Sequence, residues 1–272
     1  MTKRDSLYEF TRKQLKHDKS KSKQLKREIA KVSAMYMAFW ALFNEKNPDY
    51  TNADNSKIPD VELKLHVDEQ ARNNGVNTQQ VSNNSQLLDY ATAVYASILG
   101  AKLIKLVGSD LVDEQKKTAK WGNKTYQGSG IKETDLNIIN QAFNGAKWSD
   151  RIWSSMADLR SELTSIMQKS LLTQENPTAY NRVLRDRFGV THYQAERILR
   201  TEGARVSTLQ QVQDATDNDY KYLEWVASPD ACKYCMPLDG KRFPISKFGD
   251  EPYYLPRHPN CRCAVYGVDS LK

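Results

Sequence analysis

The sequence predicts a mainly α chain that closes on a small C-terminal α+β module: a helical N-terminal region, then a short antiparallel sheet stapled by zinc. Long stretches poor in Gly and Pro carry apolar residues at alternating steps of three and four, the spacing of a buried helix face. Runs that alternate and are rich in aromatics, as strands are, come late, from Tyr220 on. All four cysteines lie within the last 41 residues. These observations divide the chain into a basic N-terminal helix or arm (1–46), a helical region with polar loops (47–132), a further helical part (133–216) and a zinc-binding module (217–272).

The first 31 residues hold 11 Lys/Arg against 4 Asp/Glu, so this arm carries the whole +7 net charge and the remainder is neutral. From Leu25 an apolar stripe appears: Leu25, Ile29, Val32, Tyr36, Phe39 and Phe43 fall on one helix face, widened by Met37 and Trp40. The stripe is too short for a long coiled coil. Ahead of it, Lys13, Lys16, Lys19, Lys21, Lys23, Lys26 and Arg27 are either the solvated start of a packed helix or a separable arm. Such an arm would neutralise DNA phosphates and release counterions.

Asn47 to Asn84 is polar, broken by Pro48 and Pro59, and predicts a loop with one short helix over Pro59–Asn73. His66 there is isolated, and a surface or packing role is expected. Ser85 opens a helix whose buried face takes in Leu88, Val94, Tyr95, Ile98, Leu99 and Leu106, with Gly108 as its expected end. No run of eighteen apolar residues occurs, and no membrane partner is expected. The basic N-terminus has no apolar signal-peptide segment, so secretion and disulfides are not expected either. Thr118–Gly130 reads as a loop or hairpin exposing Trp121 and Tyr126. Gly128-Ser-Gly130 is too short and lacks the Lys-Ser/Thr of a P-loop.

From Glu133 the pattern is helical again. Leu136, Ile139, Ala142 and Phe143 make one amphipathic piece. A second begins at Ser149 with Ile152, Trp153, Met156, Leu159, Leu163 and Ile166 inward, Trp148 and Trp153 reading as core aromatics. Asn176-Pro177 breaks the pattern, Thr178–Phe188 reads as a short basic helix, and Gly189-Val190-Thr191 reads as the next boundary. Thr191 and Gln194 there form a capping box. The helix that follows runs to about Ala215 and carries Arg200, Thr201 and Glu202. With no second positioned group visible for acid/base work, these three are expected to anchor the helix to the C-terminal module by buried polar contacts.

Tyr220–Val226, Lys241–Phe243 and Cys263–Val268 are the strand candidates, with Leu238-Asp239-Gly240-Lys241 as a hairpin turn. Between them stand Cys232-x-x-Cys235 and His258-Pro-Asn-Cys261-Arg-Cys263, two chelating clusters separated by a loop. Zinc takes four N/S donors, and five candidates are present: Cys232, Cys235 and two of His258, Cys261 and Cys263 are favoured. A closed set of four is structural. So small a sheet has little apolar surface, and a structural zinc would supply apparent free energy on the order of 10–16 kcal/mol.

Trp225, Asp230, Cys232-x-x-Cys235, Leu238-Asp-Gly-Lys241 and His258-Pro-Asn-Cys-Arg-Cys263 resemble the C-terminal signature of the minor head proteins of tailed bacteriophages, the Mu-type head morphogenesis family. Arg200-Thr201-Glu202 matches an Arg-Thr-Glu that this family carries on a helix, and Trp148–Trp153 through Phe188-Gly189 also follows its pattern. The likeness covers about Phe143 to Val268; nothing before residue 140 takes part. It implies a structural minor capsid protein of the virion, associated with the portal and other capsid proteins at the portal vertex and acting in head assembly or genome packaging and delivery. No catalytic residue is expected. The competing reading is a zinc-containing nuclease or toxin-like transferase acting on nucleic acid or nucleotide, with His258 as a base, but no Asp/Glu/His set for phosphodiester cleavage accompanies that histidine. A zinc-dependent DNA-binding regulator would need a helix-turn-helix or finger spacing that the chain lacks.

Overall fold

The computed structural model describes residues 1–47, 56–126, 136–173 and 179–271, excepting the side chains of 171–173. Among these, the helices are α1 (Lys3–Lys46), α2 (Val61–Asn73), α3 (Asn84–Tyr126), α4 (Leu136–Asn140), α5 (Trp148–Thr173) and α6 (Tyr180–Asp217). The strands are β1 (Tyr222–Val226), β2 (Arg242–Pro244) and β3 (Ala264–Val268), in one antiparallel sheet of order β2-β1-β3. The expected class, helical with a small C-terminal sheet beside a Cys/His cluster, is what the chain forms. Gly128-Ser-Gly130 and Asn176-Pro177 lie outside the described residues.

Two compact units are built from non-contiguous stretches. One comprises residues 1–23, 106–148 and 196–272, the other 24–105 and 149–195. The four contiguous segments expected from the sequence divide the chain differently.

The second unit is an aromatic-centred helical core. Tyr36 and Phe39 of α1 pack on Tyr95 of α3 with ring centroids 5.7 and 6.1 Å apart, and Phe188 of α6 sits 5.8 Å from Tyr36. Ile152, Met156, Leu159, Leu163 and Met167 of α5 are buried at helical spacing. Trp153 is not a core residue: it is 45% exposed and lies flat against Gly100 of α3. The Asp60 carboxylate caps α2, accepting from Glu62 N at 2.9 Å. By length and composition α3 has a window apolar enough to cross a membrane, but 56% of that window is buried within the protein, and Leu87, Leu88, Ala91, Val94, Ile98 and Leu99 of α3 are all core residues.

The first unit departs most from expectation. α1 begins with a capping box: Asp5 N donates to Thr2 Oγ1 and Thr2 N to Asp5 Oδ2, each at 3.1 Å. It then runs without a break, and Leu7, Thr11, Gln14 and Asp18 are buried. The N-terminal residues are therefore part of a packed core, not a separable arm. α3 passes through Gly108, where a Cβ would meet the Trp148 ring at 3.1 Å. This glycine admits an indole to the helix surface and ends nothing. α3 continues to Tyr126, so the expected loop at Thr118 is helix and Trp121 is buried. α4 stops at Asn140; Phe143 pairs with Ala146 in an isolated bridge, and Leu136 is exposed. α6 likewise runs through Gly189, and the Thr191 hydroxyl donates to Arg187 O at 3.1 Å inside the helix instead of capping a new one.

The sheet is covered on both faces. Leu223, Trp225, Phe243 and Val265 face the cysteines and Leu255, whereas Val226, Ala264, Tyr266 and Val268 pack on Leu7, Phe10 and Trp121. This corrects the expectation of a sheet short of apolar surface: the start of α1 and the end of α3 supply its second face.

Candidate metal centre

Each donor is placed by a short backbone device. Cys235 N and Met236 N both donate to Cys232 O at 3.0 Å, closing a turn that brings the first two sulfurs to one side. The chain then forms a 3-10 turn at Met236–Leu238 and reverses at Gly240 (φ 74°), whose N–H returns to Trp225 O at 2.9 Å. The Asp239 carboxylate accepts from Ala227 N at 2.8 Å, tying this hairpin to the end of β1. In the second cluster Cys261 N donates to His258 O at 3.1 Å across Asn260, which takes the left-handed conformation (φ 65°) that asparagine tolerates. Asn260 N donates to Thr201 Oγ1 on α6 at 3.0 Å.

These turns bring all five candidate donors together. Cys232, Cys235 and His258 form one group and Cys235, Cys261 and Cys263 another, with the ligand atoms of each within 4.8 Å of one another. His258 Nε2 lies 3.2 Å from Cys232 Sγ and 3.4 Å from Cys235 Sγ, while Nδ1 is 2.8 Å from Pro259 O. A carbonyl only accepts, so the ring proton sits on Nδ1 and the Nε2 lone pair faces the sulfurs, the tautomer a metal ligand needs. In a tetrahedral zinc site, bond lengths of about 2.3 Å to sulfur and about 2.0 Å to nitrogen separate S from N by about 3.5 Å. The donors thus fit, and the cluster could hold a metal ion. Cys235, common to both groups, is its hub.

Without a cation the thiols compete for protons. Hydrogen bonds from Cys235 and Cys263 draw Cys261 down to about 2, and the same contact with Cys261, then that with Cys263, pushes Cys235 up. Cys261 and Cys263 are buried like Cys235, and Ser228 N donates to Cys263 Sγ at 3.5 Å.

Arg200, Thr201 and Glu202 do not act as one group. The Arg200 guanidinium is paired with Asp230, just before the first chelating turn, and Thr201 holds the second turn. Glu202 turns the other way, accepting from Arg205 Nε at 2.6 Å, both side chains buried. Arg205 also donates to Ile138 O and Ile139 O at 2.7 and 2.8 Å, so this pair fastens α6 to α4.

A residue that sequence reasoning passed over lies between the last two cysteines. Arg262 is buried and donates through Nε to Asp18 Oδ2 at 2.9 Å and through Nη1 to Glu114 Oε1 at 2.8 Å; its Nη2 pairs with the other Asp18 oxygen. Gln14 Nε2 donates to the same Glu114 oxygen at 2.6 Å. α6 admits this fork only because residue 203 is glycine: a Cβ there would stand 2.9 Å from Arg262 Nη2. Beside it, Asp110 takes His17 Nε2 at 2.7 Å and Lys21 Nζ at 3.3 Å. Burial pushes Asp110 upward, but His17 and then Lys21 hold it below the ordinary carboxylate range. The second Glu114 oxygen accepts no hydrogen bond among the described residues, and burial raises this carboxyl despite Arg262.

Of the N-terminal cations, Lys13, Lys16, Lys19 and Lys23 are exposed in this unit, and Lys26 and Arg27 are exposed in the other. Lys21 is engaged by Asp110.

Residues 161–266 match the family model described as Phage Mu protein F like protein, and the chain is similar to that family over this segment. The matched stretch takes in the second half of α5, all of α6, the chelating turns and β1 through most of β3. Comparison with curated proteins and with solved structures gave no match.

Proposed function

We propose, from the similarity of residues 161–266 to the Phage Mu protein F like family, that the chain is a structural minor head protein of a tailed phage. In this reading it sits at the portal vertex among other capsid proteins and acts in head assembly and genome packaging or delivery. Its Cys/His cluster holds one structural zinc. The observation that carries the structural role is the inward closure of the cluster. Three of its four sulfurs are buried, and the remaining donors meet them without a carboxylate or an open position of the kind a catalytic zinc keeps. Zinc, when bound, fixes the two chelating turns in register. The protein's own residues do the rest: Thr201 and Arg200 tie those turns to α6, and Arg262 ties them to α1 and α3.

An enzymatic reading would place Glu202 in chemistry. Its carboxylate is instead buried against Arg205, which supports a packing role. The test compares parent and Glu202→Gln for melting temperature, incorporation into purified particles, and nuclease or nucleotide-transfer activity. The structural reading expects incorporation by both, any defect following stability, on the order of 1–3 kcal/mol for a weakened buried charge-assisted bond. A folded, incorporated Glu202→Gln protein that has lost a turnover activity shown by the parent overturns it.

A further inference from the structure

We infer that α1 and α3 of the first unit together form one docking face for the phosphate backbone of duplex DNA. Two rows of lysine carry it, only one of which lies in the basic N-terminal stretch.

The two helices run antiparallel against each other. Phe10 meets Trp121 with ring centroids 6.0 Å apart, Gln14 reaches Glu114 at 2.6 Å, and His17 reaches Asp110 at 2.7 Å, so position numbers rise on α1 as they fall on α3. With this seam fixed, the 100° step of an α-helix turns Lys13 and Lys16 of α1 and Lys117, Lys120 and Lys124 of α3 to the same outer side of the pair. All five are exposed. Lys19 and Lys23 continue the charge around α1 and are exposed too. No carboxylate among the described residues forms an ion pair with any of these seven.

The fold sharpens this charge beyond what composition shows. The acids interspersed with these lysines, Asp18, Asp110 and Glu114, point inward and are taken up by Arg262, His17 and Lys21. Asp5 and Asp113 are the acids left exposed along the two segments, and Glu9, half-buried, lies beside Arg12. Counted by sequence, the residues after position 31 are neutral; counted by surface, this end of α3 exposes Lys116, Lys117, Lys120 and Lys124 against Asp113.

Charge complementarity selects a polyanion, and two features select duplex DNA. The row on α1 from Lys13 to Lys23 spans about 15 Å at about 1.5 Å per residue. A duplex presents one phosphate per about 1.7 Å of axis along such a length. The exposed aromatic on these two helices is Tyr8, which precedes the lysine rows, and Trp121 is buried, so no stacking platform of the kind single strands require is interleaved with the lysines. An anionic membrane would call for an apolar face beside the lysines, and none is interleaved with them. Contacts with phosphates alone predict binding indifferent to sequence.

The inference concerns naked DNA and does not depend on the capsid reading; its failure would leave that reading in place. The test is fluorescence anisotropy of the full chain with a labelled mixed-sequence duplex across salt. Five phosphate contacts predict a slope of roughly −4.5 in log K against log salt, a loss of about 500-fold between 50 and 200 mM. The triple variant Lys117→Gln/Lys120→Gln/Lys124→Gln, all exposed positions, keeps the parent's melting temperature. Its salt dependence falls to about 12-fold over the same range. Lys13→Gln/Lys16→Gln lowers the slope by roughly 1.8. Equal slopes for parent and triple variant would overturn the two-helix face. Tighter binding of oligo-dT than of duplex, or binding of phosphatidylserine vesicles with none of DNA, would overturn the choice of partner.

Discussion

Replacing Arg262 with Met tests the packing of the first unit at its most heavily bonded point. The side chain is buried, and its guanidinium pairs with both Asp18 and Glu114. Methionine fills much of the volume but leaves two buried carboxylates without their cation, a change that costs about 3–5 kcal/mol. For a chain of this size that corresponds to a melting temperature lower by roughly 6–20 °C. The pH dependence gives the cause away. Burial raises the Glu114 carboxyl above its ordinary value, and Arg262 is the first group that opposes this, so losing Arg262 raises it further. A group whose folded pKa is raised favours folding below its unfolded value and loses that contribution as pH rises through the folded one. The deficit of Arg262→Met is therefore greatest at neutral and alkaline pH and shrinks on acidification. Thermal melts from pH 5 to 8, with zinc content measured in parallel, decide the matter. A second arm uses Asp18→Asn, remote in sequence from every cysteine. Its cycle with Arg262→Met should show coupling of about 2 kcal/mol or more. A variant melting within about 3 °C of the parent at pH 7, or additive effects of the two substitutions, would refute the reasoning.

Two further outcomes follow from the same unit. Cys235 is common to both donor groups, so Cys235→Ser should abolish zinc binding by elemental analysis and lower solubility, whereas Cys263→Ser should retain zinc if Cys232, Cys235, His258 and Cys261 are the ligands; equal zinc in Cys235→Ser and parent would show the site misread. Gly203→Ala forces a methyl to 2.9 Å from Arg262 Nη2 and should cost about 1–3 kcal/mol in urea denaturation, although alanine is the better helix former. A stabilised Gly203→Ala protein would mean that the fork is not held where α6 requires it.

The family signature, the converging Cys/His donors and the three strands were legible in the sequence because each depends on local spacing. A chelating turn or a two-residue alternation is set within a few residues, whatever packs on it later. The helix breaks were misjudged for the opposite reason. Gly108 and Gly189 satisfy a local rule for an ending, yet the helices continue, and at Gly108 the cause is an indole 40 residues away in sequence. The buried stripe of α1 shows the limit most clearly. Its steps of three and four start at Leu7 and pass through Thr11, Gln14 and Asp18 before Leu25. The period was there to be read, but polar residues on an inward face make sense only when their partners are known. Asp18 is buried because Arg262 stands opposite, 244 positions away. Periodicity comes from the chain itself, whereas the burial of a charge depends on what the fold brings to meet it. Composition likewise assigned the basic excess to the first 31 residues, and only tertiary structure, by turning carboxylates inward, shows how much of α3 is basic at its surface.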